Sequence, residues 1–250
     1  MDLAFRDDFL AQWRHHFPGA EPPLAFFFTG DPSRAESPKP ARGHRCLIAD
    51  LARARRGTPV RFDAGSVACA GGRRYLGLAR ELRPDFEYFL SCGIPGKVEG
   101  ERYKRTPELV REMLRRAPCF QAPAPNAVFV RWDRLEAGDE PEVAIFFARP
   151  DVLAGLFTLA NFDEAESSNV VAPFGAGCAS IVQHPYLERD AARPRCFLGM
   201  FDVSARPHVP ADTLTFALPI RRLREMHGFI DESFLRTRAW QTIRARLARH

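Results

Sequence analysis

The chain has 250 residues, 46% of them apolar and 27% charged, enough to bury a core in one large domain or two small ones and too apolar for a disordered chain. Its formal charge is +5, but the basic residues are dispersed and no nucleic-acid-reading motif accompanies them, so nucleic acid is not the expected partner. No apolar run reaches the roughly 18 residues of a membrane span, and the charged N-terminal segment is not an export signal; the six cysteines are therefore expected as reduced thiols or metal ligands in a cytoplasmic protein.

Phe5, Phe9, Leu10, Trp13 and Phe17 give the first segment the spacing of an amphipathic helix. Residues 24–28 (Leu-Ala-Phe-Phe-Phe) read as a strand buried on both faces. A loop rich in Gly, Pro and Ser follows over 29–45, then a helix over 44–56 that ends at Gly57 and Pro59. Residues 60–67 are extended, and Cys69-Ala-Gly-Gly72 leads into a short helix. Residues 84–125 read as a helical insertion with helices at 85–90 and 106–116, the second capped by Thr106 and opened by Pro107. A strand is expected at 128–132.

The pattern then recurs. Val143 to Phe147 repeats Leu24 to Phe28 at an offset of 119, residues 151–161 form a helix, 169–173 are extended, and Gly175-Ala-Gly-Cys178 opens another helix. Cys178 falls on Cys69 at an offset of 109, whereas Cys46 has Gly155 opposite it. Strands at 196–203 and 213–218 and basic helices at 219–229 and 231–250 complete the chain. The expected fold is α/β or α+β: one domain over 1–250, its mixed sheet covered by helices and built from a β-α-β-α pseudo-repeat. The first copy covers 23–83, the insertion 84–125, the second copy 143–190, and the terminal strands and helices 195–250.

Arg45-Cys46-Leu-Ile-Ala-Asp-Leu-Ala-Arg-Ala-Arg-Arg-Gly57, Val67-Ala-Cys69-Ala-Gly-Gly72 and Tyr75-Leu-Gly-Leu78 resemble domain-of-unknown-function family 169 of bacteria and archaea. Gly177-Cys178-Ala-Ser-Ile-Val182 and Leu198-Gly-Met-Phe-Asp202-Val-Ser-Ala-Arg206 resemble its C-terminal half. The resemblance spans most of residues 23–226 and implies no activity. It singles out Cys46, Cys69 and Cys178; a further cysteine pair of some members has no counterpart at 199–202.

Thiolates suit zinc and iron–sulfur clusters, both of which want about four ligands, so the leading expectation is a metal or iron–sulfur centre, or a small ligand, held between the two copies. Small buried hydrophobes are the competing reading of the same cysteines. A thiol-dependent enzyme is another alternative, with Arg73 or Arg74 favouring the thiolate at a helix start and with His44 or His184 as the only nearby base. A non-catalytic anion or small-molecule module is the third, with Gly71, Gly72, Arg73, Gly175, Gly177 and Ser180 forming strand-to-helix anion pockets. Arg206 is expected either to pair with Asp202 and fix a turn or to hold an anionic ligand. The reading leaves room for a homo-oligomer.

Overall fold

The computed structural model describes residues 1–39 and 43–249. Residues 40–42 of the expected 29–45 loop and residue 250 of the expected C-terminal helix lie outside them.

Among the described residues seven strands form one mixed sheet: β1 (Leu24–Thr29), β2 (Val60–Phe62), β3 (Asn126–Arg131), β4 (Val143–Ala148), β5 (Val170–Val171), β6 (Cys196–Gly199) and β7 (Leu214–Pro219), in the order β2-β3-β1-β4-β7-β6-β5. Successive side chains of a strand point to opposite faces. Leu24 and Phe26 therefore enter one core and Ala25 and Phe27 the other, which is why β1 reads as an unbroken apolar run. Every neighbouring pair is antiparallel except β5 and β6.

The centre of the sheet is symmetric. Ala25 pairs with Ala144, its own counterpart at the offset of 119, while Leu24 pairs with Ile145 and Phe26 with Val143. Outward from this pair the register repeats: Leu24 opposes Arg131 as Val143 opposes Pro219. The flanking hydrogen bonds repeat too, Trp132 N–H donating to the Pro23 carbonyl at 2.8 Å and Ile220 N–H to the Glu142 carbonyl at 3.0 Å. Directly opposed residues of antiparallel strands project to the same face, so the approximate twofold axis stands normal to the sheet between Ala25 and Ala144.

Helices cover both faces. One carries α1 (Leu3–His16), α6 (Pro150–Leu159), α8 (Ile220–Gly228) and α9 (Arg238–Leu247), whose Trp13, Leu156, Leu223 and Trp240 share one core with Phe146 and Phe216. The other carries α2 (Leu47–Arg55), α3 (Ala70–Tyr75), a π-helical turn (Ala179–Gln183) and α7 (His184–Glu188). The order strand, helix, strand, helix occurs in both halves as expected. Yet α2 and α6 lie on opposite faces, and the strand that takes the place of β2 in the second half is β6, Phe197 opposing Ala217 as Val60 opposes Phe129, so the axis relates the central strands but neither α2 to α6 nor α3 to the π-turn.

Turn chemistry shortens two strands. The Asp63 carboxylate accepts from Gly65 N at 2.9 Å and Ser66 N at 2.8 Å, ending β2 at Phe62 rather than 67. Met200 adopts φ 69°, turning the chain out of β6 before residue 203. In the insertion, α4 (Phe86–Phe89) precedes α5 (Pro107–Arg116), and Thr106 Oγ1 caps α5 by accepting from Leu109 N at 3.3 Å. Among the described residues no helix is long and apolar enough to cross a membrane.

Candidate functional site

Cys46, Cys69 and Cys178 lie on the same face of the sheet. Each stands immediately before a helical segment: Cys46 before α2, Cys69 before α3 and Cys178 before the π-turn. The first two are joined by close packing. A Cβ on Gly72 would lie 3.4 Å from Leu47 Cβ and 3.5 Å from Cys69 Cβ, so glycine lets the start of α3 rest on the start of α2. Cys69 Sγ accepts a hydrogen bond from Gly72 N at 3.3 Å. Cys178 sits across from α3 at the start of the π-turn and is only 6% exposed.

The three thiols are electrostatic neighbours. Burial pushes the Cys178 thiol well above its ordinary range, and Cys69, Cys46 and Asp202 push it further in that order. Burial also raises Cys46; the N–H groups of Ile48 and Ala49 oppose it, while Cys69 and Asp202 add to it. Tyr75, on the last turn of α3, is pushed up to about 12 by burial first, then by Cys178, with Arg74 opposing and Asp202 and Cys69 adding. Of the groups that shift Cys46, Cys178 and Tyr75 most, Arg74 alone is basic. Among the described residues, however, no three His, Cys, Asp or Glu side chains stand in an arrangement ready to hold a metal ion.

The sequence offers Asp202 only as a partner for Arg206. The structure corrects this. The Arg206 guanidinium hydrogen-bonds the carbonyls of Pro210, Ala211 and Thr213 and closes its own loop rather than pairing with Asp202. Asp202 instead accepts from Gly177 N at 3.1 Å through Oδ2, and from Ser204 N at 3.0 Å and Ser204 Oγ at 2.8 Å through Oδ1. The turn before Cys178, expected to cradle an anion, thus receives the chain's own carboxylate. Met200 Sδ and Ala205 Cβ would lie 3.1 and 3.3 Å from a Cβ on Gly177, so this glycine admits the 200–206 loop. Ser180 is buried and donates to the Gly177 carbonyl at 2.8 Å, which turns it toward the sheet rather than toward a ligand. No described residue lies near a Cβ on Gly175 except Ala179, at 3.8 Å, and one on Gly71 would touch Tyr75 and Cys69 Sγ. Arg73 is half-buried on α3, its Nε without a hydrogen-bond partner.

Exposed apolar side chains rim the cluster: Phe174 is 62% exposed, Phe201 57% and Val203 69%. The insertion reaches this rim through consecutive residues. Tyr103 Oη accepts from Ser204 N at 3.0 Å, and Lys104 Nζ lies 4.1 Å from the centre of the Phe174 ring. The remaining cysteines stand apart: Cys92 and Cys119 are exposed, and Cys196 is buried in the core of the opposite face, where burial pushes its thiol up to about 12. His184 stacks on Phe197 with ring centres 5.5 Å apart, and burial lowers its pKa; its charged neighbours are Arg195 and Glu188, not a cysteine.

A family model described as uncharacterised ArCR, domain of unknown function 169 (DUF169), matches residues 20–228. The chain belongs to this family. The DUF169 match runs from before β1 to the end of α8 and so takes in the whole sheet, all three clustered cysteines, Tyr75 and Asp202, while α1 and α9 fall outside it. No curated protein and no solved structure matches the chain.

Proposed function

We propose that the cluster of Cys46, Cys69 and Cys178 binds a thiophilic cation, either a single metal ion or an iron–sulfur centre. One observation supports this reading: three thiols distant in sequence stand at helical starts on one face of the sheet, and Cys69 and Asp202 add to the burial that raises the pKa of Cys46 and Cys178. Binding a cation removes that penalty, because metal displaces the thiol protons and supplies the missing positive charge. The register symmetry about Ala25 and Ala144 supports a single domain with a duplicated strand centre, but it matches β2 to β6 and so does not make Cys69 and Cys178 counterparts.

Anaerobic purification with metal and acid-labile sulfide analysis tests the proposal. Stoichiometric metal, lost on replacing any of the three cysteines by serine, is the expected result. Colourless protein that neither carries nor takes up metal overturns it. A thiol-dependent reaction is the second reading, favoured by the Gly72 N–H that Cys69 Sγ accepts, which stabilises a thiolate. It predicts selective alkylation of Cys69 at neutral pH.

A further inference from the structure

We propose that the cavity between the end of α1 and α9 is a second binding site, one that takes a small phosphorylated molecule. It stands on the face of the sheet opposite the cysteines and does not depend on how they are read.

The cavity measures about 540 Å³ and is walled by Arg14, His15 and Pro18 at the end of α1 and by Gln241, Arg244 and Ala245 of α9. Its walls are fixed from beneath. Trp240 Nε1 donates to the His16 carbonyl at 3.1 Å, and the Phe17 ring stands edge-on to Trp240 with centres 5.2 Å apart. Both aromatic residues are buried, so the two helices meet through the core and the cavity is preformed. Its volume falls in the range of small-molecule sites and is more than a bare phosphate ion fills.

The polar lining is one-sided. Among the described residues no acidic side chain lines the cavity, and neither Arg14 nor Arg244 has a carboxylate within ion-pair reach. Arginines of the same helices that lie outside it are paired, Arg6 with Asp7 and Arg246 with Asp151. Basic residues in the last turn of a helix commonly bond its terminal carbonyls. Among the described residues neither guanidinium does so; Arg244 reaches across to α1 instead, its Nη1 3.3 Å from His15 Nε2. An arginine can only donate, so Nε2 accepts and the neutral ring carries its proton on Nδ1. Behind His15, with ring centres 4.7 Å apart, lies His16, buried and with Nδ1 unpartnered. Burial is the main cause that lowers the His16 pKa, but His15, Arg244 and Arg236 lower it as well, against Asp231, so the local field is positive. Two guanidinium forks and an imidazole with no described carboxylate among them match the oxygens of a phosphate monoester. Pro18 and Ala245 give the organic remainder an apolar wall, and Gln241 gives it an amide.

Isothermal titration calorimetry of the full chain at low ionic strength, with ribose phosphate, inorganic phosphate and ribose as probes, tests this. Ribose phosphate is expected to bind, inorganic phosphate to bind several-fold more weakly, and ribose not to bind. Arg14→Gln and Arg244→Gln should each weaken the ester at least tenfold. Arg246→Gln removes the same charge from α9 but does not line the cavity, and should stay within twofold of wild type. In the wild type, and so independently of how the variants fold, the amide NMR signals of His15, Gln241 and Ala245 should move with the ester while those of Cys46, Cys69 and Cys178 stay in place. No binding of ribose phosphate, signal changes confined to other parts of the chain, or equal weakening by Arg244→Gln and Arg246→Gln overturns the site. Inorganic phosphate binding as tightly as the ester overturns the assignment of a phosphorylated organic molecule.

Discussion

His16 makes stability depend on pH, and the effect can be worked from its surroundings. It occupies the last turn of α1, is 6% exposed, and has no partner for Nδ1, while its carbonyl accepts from Trp240 Nε1 at 3.1 Å. A helix C-terminus favours a protonated imidazole by roughly 0.3–1 kcal/mol. Burial opposes this and wins: it lowers the pKa from 6.5 to about 4, with His15, Arg244 and Arg236 adding and Asp231 opposing. Because the folded pKa lies below the unfolded one, the neutral ring costs nothing above pH 6.5. As pH falls from 6.5 toward 4 the unfolded chain takes up a proton that the folded chain refuses, and stability drops by about 1.4 kcal/mol per unit. At about pH 5 the accumulated loss is about 2 kcal/mol, and it levels off near 3 kcal/mol below the folded pKa. Urea unfolding of wild type and His16→Gln at about pH 7.5 and about pH 5 measures it. The wild type should lose about 2 kcal/mol more than the variant between the two conditions. Equal losses, or a native-state His16 that titrates near its ordinary value by NMR, would refute the reasoning.

Three further outcomes are expected. Under native conditions a maleimide should modify Cys92 and Cys119 within the time that leaves Cys178 and Cys196 untouched, because the first pair is exposed and the second buried with raised pKa; mass mapping of modified peptides reads this directly. Gly199→Ala places a Cβ 2.0 Å from Ser180 Oγ and 2.8 Å from Thr215 Oγ1. It should cost about 1–3 kcal/mol in chemical denaturation through overpacking, with part recovered in the double variant that also carries Ser180→Gly. Thr106→Ala removes the acceptor for Leu109 N and should cost about 1 kcal/mol, checked by the same denaturation assay; an unchanged midpoint would mean that the α5 cap contributes nothing.

The strands were the most legible part of the sequence. The runs at 24–28 and 143–147 are apolar at every position because the sheet is covered on both faces, and their similarity fixed the symmetric pair at its centre. Strand ends were not legible where local chemistry intervened, as at Asp63, whose carboxylate closes a turn, and at Met200, a non-glycine residue in the left-handed region. The π-turn left only a faint mark: Pro185 has no N–H to return to the Ile181 carbonyl, and the helical ladder widens just before it. For the candidate site, the cysteines could be chosen but not placed, since their proximity follows from the sheet order and from Gly72, not from spacing. The placement of Asp202 is hidden for a related reason. Arg206 lies four positions on, a spacing that suggests an ion pair, but a loop with three free carbonyls competes for the guanidinium and takes it.

The symmetric seam between β1 and β4 has a consequence for how the molecule stays together. Within the sheet, strands β1–β3 meet strands β4–β7 only over Leu24–Phe26, whereas the adjoining ladders on either side run six residues each. The two halves thus meet like partners in a small dimer, with residues 132–142 as the tether between them. Such a tether acts by holding each half at an effective concentration in roughly the millimolar range around the other. Cutting it would convert a unimolecular fold into an association that dilution can undo, even though no residue of either half had changed.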